Sequence, residues 1–530
     1  MADWISDGIL SDRLPLIVHS NQALIMPRQV FRHPEMYISF TAKLISAALC
    51  YRNLIEDNEI PTEMAGKIPL DMSQNMNLFG SCRIPACEKD GHYRLDPFNP
   101  PNHIIVAHNN NFFRVPVLNS CGVPITSKQI EAQLQKVVHD SRDPGKAVGI
   151  LTTEHRDTWA ELHNEMTKDN KELLEDIETA LFMVCLDGRS SHTLPASRGN
   201  NLQTIAALKI LHGGGPQDSA ANRWFDKTLQ FIVGCTGEVG LCLEQSYVDC
   251  QLVMNLLTYV LDAIGKTHPD FCVESVEFPE PIKLEFCSNF KIDCAIKCAE
   301  QKAKKLIDDT GILSFTFTGF GFCFLESHSV CPDGFVQLAL LLAYHRVHAE
   351  TVPSYELAST RRFCRGRTEV VRTTTPEALF FIYAMLDECN MSDKEKAEAL
   401  LRATDTVTLR TIEAMDGQGV DRHIFGLYMM ARQEGLEIPE LFCNKGFQQS
   451  CNCKLFTNQV RSPYNAGLCL GPASYDGYGV GYNTRAHYIN FGVIAYNSSN
   501  CTDLTLFHDT LVRSLVQMQN LLIKYRIEKK

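Results

Sequence analysis

The feature that most constrains this chain is a hydrophobic period that switches back and forth between 3.6 and 2 residues along its whole length. Such switching requires helices to cover the faces of strands, so it points to a mixed α/β architecture. "TSKQIEAQLQKVVHD" (126–140) sets Ile130, Leu134 and Val137 on one helical face behind a Thr/Ser cap. "SDKEKAEALL" opens with Ser392 and Glu395 at capping-box spacing. Leu504, Phe507, Leu511, Leu515, Met518 and Leu522 predict a long amphipathic helix at the end of the chain. Between these, "HIIVAHNNNFFRVPVL" (103–118) reads as a hairpin turning at Asn109–Asn111. "HYINFGVIAY" alternates Ile489, Phe491, Val493 and Ala495, as a strand with one buried face would. The prolines and acids of "HPDFCVESVEFPEPIKLEFCSNF" (268–290) mark the best boundary, near residue 286. The expected organisation is two α/β domains, 1–286 and 287–530, with a site between them that would suit a two-substrate enzyme.

Composition bounds the partners. The 530 residues carry 50 Lys and Arg against 62 Asp and Glu, a formal charge of -12 without a block of like charges. That balance disfavours nucleic acid and anionic membranes. No apolar run approaches the roughly 18–20 residues of a membrane span; "FVQLALLLAY" and "QLVMNLLTYVLDAI" read as buried helices. "MADWISDGILSDRLP" has neither a signal-peptide core nor a presequence's basicity, and "YRIEKK" is not a peroxisomal tripeptide. The expectation is a soluble intracellular protein. Its 21 cysteines are scattered and odd in number, which suits reduced thiols. Cys294 and Cys298, Cys451 and Cys453, and Cys82 and Cys87 all lack paired zinc spacing, so no metal site is expected.

Two glycine-rich motifs need weighing. "HGGG" (212–215) resembles an esterase oxyanion loop, but the chain contains no GxSxG elbow. "DGYGVGY" (476–482) lacks GxGxxG spacing and a following helix, so a tight turn into a strand is expected rather than a dinucleotide site.

Four separated motifs, "HGGG…NRWFDKTLQFIV", "YELASTRRFCRGRTEVVRT", "DRHIFGL" and "GPASYDGYGVGYN…INF", stand in the order and at the spacing of the carnitine and choline O-acyltransferase family. The chain resembles that family from about Trp4 to the last helix, most closely its carnitine O-acetyltransferase branch. The resemblance implies a CoA-dependent acyltransferase-like fold: two domains, each a mixed sheet flanked by helices, with a tunnel entered by carnitine from one side and acyl-CoA from the other. It implies no metal and no bound prosthetic group, CoA or acyl-CoA being a co-substrate. It also implies a histidine general base that takes the proton of the carnitine hydroxyl. By analogy the compartment would be mitochondrial or peroxisomal, with the cytoplasm an alternative.

Residue by residue, the resemblance is uneven. The carnitine-carboxylate positions fall on Tyr355, Thr368 and Arg422, all of the expected types. A guanidinium with two hydroxyls satisfies a carboxylate by charge-assisted hydrogen bonds. The histidine position of "GLCLEQSYVDC" (240–250) falls on Gln245, flanked by matching Glu244 and Asp249, with Cys250 in place of a glycine. A carboxamide does not accept a proton usefully, and general-base catalysis is typically worth ~10²–10⁴ in rate. The two CoA lysine positions fall on Phe322 and Glu326 of "FGFCFLE", and Lys302, Lys304 or Lys305 would have to reach over to replace them. The Ser-Thr-Ser element that holds carnitine and supports the oxyanion becomes Phe456, Thr457 and Asn458, followed by the expected Gln459. Leu468 stands where a large side chain restricts the family to short acyl groups. By the same resemblance, the family's opening helices are expected to be absent from this sequence. These positions together predict a family member with transferase activity absent or very weak, retaining carnitine or acylcarnitine binding or acting through a protein partner. The alternatives are an active short-chain carnitine O-acetyltransferase with a non-standard base and a non-enzymatic scaffold.

Overall fold

The computed structural model describes residues 1–96, 98, 100–119, 122–189, 201–265, 279–386 and 390–528. Residues 268–278 of the expected boundary segment lie outside these.

Two mixed sheets organise the chain. The first has eight strands in the order Ile282–Lys283, Asn111–Pro116, His103–His108, Met183–Asp187, Leu229–Gly234, Val239–Glu244, Asn21–Ile25 and Gly467–Cys469. Met183–Asp187 runs parallel to both its neighbours, and the other pairings are antiparallel. The second has six strands in the order Thr310–Phe317, Ile489–Tyr496, Tyr478–Thr484, Leu455–Gln459, Ser354–Ser359 and Thr368–Arg372.

Strand alternation sends successive residues of the first sheet into two cores. Phe231, Leu241 and Leu243 meet the helices Pro34–Glu56, Ser127–Asp140 and Cys250–Ile264. Ile232 and Cys242 meet a second core shared with Leu202–His212 and Phe290–Asp309. The helix Leu202–His212 also packs on Ile312 and Ile494 of the second sheet, so it is apolar around most of its surface. The far face of the second sheet is covered by Pro332–His348, Asp393–Met415 and Leu504–Glu528.

Residues 287–530 therefore supply the first sheet with an edge strand, Gly467–Cys469, and its core with the helix Phe290–Asp309. A cut at residue 286 would expose both. The glycines of "DGYGVGY" have their reason here. A Cβ on Gly481 would lie 2.2 Å from the Leu468 carbonyl oxygen, and one on Gly479 would lie 2.3 Å from that of Leu470. These glycines let the edge strand of one sheet lie directly on the face of the other.

The local signals are realised closely. Thr126 and Gln129 form a reciprocal capping box on Ser127–Asp140, as do Ser392 and Glu395 on Asp393–Met415. The hairpin turns at Asn109 and Asn110, with φ of 51° and 58°. One expectation is corrected: Ile489–Tyr496 is buried on both faces, not one. Phe491 and Val493 meet the helices, while Gly492 faces the strand Gly467–Cys469 and Ile494 faces the shared core.

Candidate functional site

The strand Val239–Glu244 ends in the central turn that carries Gln245, and the helix Cys250–Ile264 leaves it. Glu244 is fully buried. Its carboxylate accepts from Ser20 Oγ at 2.6 Å, Ser246 Oγ at 2.6 Å and the Ser246 amide at 3.2 Å, with Arg83 Nη1 3.7 Å away. Asp249 occupies the helix N-cap, yet its carboxylate turns aside to accept from Gln74 Nε2 at 2.8 Å and Arg367 Nε at 3.0 Å. Arg367 also donates to the carbonyls of Ser246, at 2.5 Å, and Gln245, at 3.0 Å. The turn is thus pinned by a guanidinium from the neighbourhood of the second sheet. The half-buried Gln245 accepts a hydrogen bond from Gln22 Nε2 through its Oε1, at 2.5 Å. Each carboxylate beside Gln245 is already committed to donors that hold the turn.

The strand Leu455–Gln459 approaches the turn from the second sheet. Asn458 donates from Nδ2 to Cys250 Sγ at 3.2 Å, and burial pushes that thiol up to about 12, so it stays protonated at neutral pH. Thr457 donates to the Tyr355 carbonyl at 3.0 Å and accepts from Gln337 Nε2 at 3.0 Å. Phe456 packs against the core beneath the turn, Gln459 sits half-buried in register with Tyr482, and Leu468 is fully buried opposite Leu24.

Tyr355, Thr368 and Arg422 gather around the hairpin Ser354–Ser359 and Thr368–Arg372, whose register places Tyr355 and Thr368 on the same half-exposed face. Arg422 stands at the start of the helix Asp421–Gln433 and donates through Nε to the Thr368 carbonyl at 3.0 Å. It forms no ion pair with an acid among the described residues, and burial lowers its pKa, with Glu369 and Asp421 opposing that shift from nearby. Tyr355, by contrast, is occupied. Its hydroxyl donates to the Ser450 carbonyl at 3.0 Å and accepts from Arg372 at 3.3 Å. Arg372, which the motif comparison passed over, pairs with Asp421 at 2.6 Å and lies over the Tyr355 ring.

Phe322 opens the short helix Phe322–Ser327 that follows Thr310–Phe317, and Glu326 lies in its last turn; Phe322 is half-buried and Glu326 exposed. Of the lysines considered as replacements, Lys302 pairs with Glu154 at 2.7 Å and Lys304 with Asp308 at 2.7 Å. Beneath this region lies a buried cluster that the sequence reading missed. Tyr482 Oη is 2.5 Å from Asp333 Oδ1 and 2.6 Å from Glu356 Oε1, and Gln337 Nε2 donates to it at 3.0 Å. One phenolic proton cannot serve both carboxyls, so at least one of them donates its own. Burial raises both Asp333 and Glu356, and the neighbouring acid adds to the effect at Glu356. The visible signal was an acid on the inward face of a strand, at Glu356 between Ser354 and Ala358. No cluster of three or more metal-ligating side chains occurs among the described residues. None of the described helices is long and apolar enough to cross a membrane.

A sequence model of the choline/carnitine O-acyltransferase family matches residues 1–513. The chain is 35% identical over 524 residues to carnitine O-acetyltransferase of Columba livia, covering 98% of this chain and 82% of that protein. The mouse carnitine O-acetyltransferase is likewise 35% identical over 524 residues, with 98% and 83% covered. Choline O-acetyltransferase of Sus scrofa is 33% identical over 534 residues, with 98% and 82% covered. With its two helix-flanked sheets and a family match spanning nearly all of its length, this chain belongs to the choline/carnitine O-acyltransferase family.

Proposed function

We propose that this protein holds carnitine or an acylcarnitine without transferring acyl groups at an appreciable rate. The observation that carries this reading is the state of the turn at Gln245. The side chain there is a carboxamide, and Glu244 and Asp249 are each bound by several donors. Moving either carboxylate to act as a base would break the bonds that Ser20 and Ser246 make to Glu244, or those that Gln74 and Arg367 make to Asp249, and the Cys250 thiol is too weak an acid to help. Losing the base removes about 10²–10⁴ in rate. Phe322 and Glu326 in place of lysines weaken the hold on CoA by a further 10²–10⁴-fold, very roughly, at about 1.5–3 kcal/mol per lost charge-assisted contact. Arg422, whose guanidinium forms no ion pair among the described residues, supports retained recognition of a carboxylate, and Thr368 flanks it.

The test is thiol release from acetyl-CoA in the presence of carnitine, comparing the native chain with Gln245→His. The expected result is negligible turnover by the native chain and a measurable gain in the variant. Native turnover like that of an ordinary carnitine O-acetyltransferase would overturn the proposal and favour a short-chain transferase with a non-standard base. Thermal unfolding supplies the second readout: carnitine raises the melting temperature and CoA does not. If neither ligand shifts it, small-molecule binding is lost too, and a role through a protein partner takes its place.

A further inference from the structure

Two acids stand near Arg422, Asp421 before it in the helix Asp421–Gln433 and Glu369 on the neighbouring strand, yet its guanidinium pairs with neither. A guanidinium and a carboxylate this near each other pair readily unless one of them is already held, so each acid needs an account. Glu369 is committed to backbone. Its carboxylate accepts from the Val370 amide at 2.8 Å and from the Arg422 amide at 3.1 Å, which places a negative charge on the first turn of the helix, where it is favoured.

Asp421 is committed to Arg372. Its Oδ1 accepts from Arg372 Nη2 at 2.6 Å and its Oδ2 from Nε at 2.9 Å, a two-point fork. At 32% and 15% exposed, the pair is shielded from most solvent screening. Arg372 is itself fixed. It lies directly across the hairpin from Tyr355, with its guanidinium over that ring, and its Nη1 donates to the Ser450 carbonyl at 3.0 Å. The strands of Tyr355 and Thr368 and the helix start of Arg422 thus meet at one guanidinium.

The geometry points to Arg372 as a positioning residue that sets selectivity: by holding Asp421 it leaves the Arg422 guanidinium to a carboxylate on the ligand, and so favours carnitine over a similar cation that lacks one. In this role Arg372 does not touch the ligand. It removes an anion that would compete for Arg422 and repel the incoming carboxylate. Neutralising Asp421 by substitution should therefore stand in for Arg372, whereas a mere brace between the hairpin and the helix could not be replaced that way. The inference rests on the carnitine binding proposed above and adds the source of its preference.

Calorimetric titration of the full chain with carnitine and with choline tests it, since choline shares the trimethylammonium and hydroxyl groups but has no carboxylate. Arg372→Met should weaken carnitine about 10-fold or more, the scale of one charge-assisted contact, and leave choline within about 2-fold. Asp421→Asn alone should not weaken carnitine. The double variant, Arg372→Met with Asp421→Asn, should bring carnitine back to within about 3-fold of the native chain. Carnitine binding indifferent to Arg372→Met, weakened equally by either single change, or not restored in the double variant would overturn the assignment and leave the carnitine reading standing. A native chain that binds no carnitine overturns that reading, and this assignment with it.

Discussion

Arg367→Ala is the sharpest probe of how the turn at Gln245 is held. The side chain makes three contacts with the turn, to the carbonyls of Gln245 and Ser246 and to the Asp249 carboxylate, and the Arg367–Asp249 pair is 13% and 20% exposed. Hydrogen bonds to charged groups contribute about 1.5–3 kcal/mol each when removed singly. Breaking a fully buried ion pair costs about 3–5 kcal/mol. The three contacts are not additive, Asp249 keeps Gln74, and water can reach the vacated space. Together these place the loss at about 2–4 kcal/mol. In a chain of this size each kcal/mol moves the melting temperature by no more than about 2 °C, so the shift should be a few degrees. Arg367→Lys should recover only part of it, because an ammonium cannot reach two carbonyls and a carboxylate in the geometry of a fork. Hydrogen exchange supplies the local readout: the amides of residues 245–249 should lose protection in Arg367→Ala while those of the helix Ser127–Asp140 do not. An unchanged melting temperature together with unchanged exchange at 245–249 would refute the assignment of Arg367 as the clamp.

Further outcomes follow from the seam and from the buried titratable groups. Gly481→Ala should destabilise by about 1–3 kcal/mol or more, read by urea unfolding, because the new Cβ meets the Leu468 backbone at 2.2 Å. The same change at Gly66, where a Cβ meets nothing but φ is positive, tests backbone strain alone. Burial lowers His103 and His212 to about 4 each, so the unfolded chain binds more protons between pH 6.5 and 4. Their contribution is present above pH 6.5 and lost as pH falls, at up to about 1.4 kcal/mol per histidine per pH unit; urea unfolding at several pH values reads the slope. Glu356 is shifted the other way: its stabilisation is whole below the ordinary carboxylate pKa and drains as pH rises towards its raised value. Glu356→Gln, which cannot ionise, should therefore gain on the native chain in urea unfolding as pH climbs from 5 to 8.

The parts of the fold that could be read from sequence were those set by local chemistry. The capping boxes at Thr126 and Ser392 and the asparagine turn at 109–110 depend on side chains within a few residues of each other. Their partners are visible in one window. What escaped was whatever the chain builds from distant pieces. The double burial of Ile489–Tyr496 depends on a strand from 467–469 lying on Gly492, and the same crossing ties the chain on either side of residue 286 together in a way composition does not show. At the site, residue types at Gln245, Phe322 and Glu326 were readable because a motif fixes their positions. The clamp of Arg367 on Asp249, the pair of Asp333 with Glu356, and Arg372 over Tyr355 join segments from different elements. No spacing rule connects them.

The substitutions at the turn also satisfy one another, which bears on what a single reversion can recover. Gln245 is paired by Gln22, and Asn458 by Cys250, so each polar group introduced near the turn has a partner. A histidine placed at 245 would meet an amide donor from Gln22, which favours the tautomer that accepts there and ties up one ring nitrogen. Asn458 would still be turned to the Cys250 thiol instead of towards a developing oxyanion, and electrostatic stabilisation of that kind is commonly worth about 2.7–4 kcal/mol for a single donor. On the proposed reading, Gln245→His should therefore give only part of the rate of an ordinary family member. Adding Cys250→Gly, which frees Asn458, should raise turnover further than the product of the two single effects. Strict multiplicativity would mean that the Asn458–Cys250 contact has no bearing on the chemistry and that the two departures are independent.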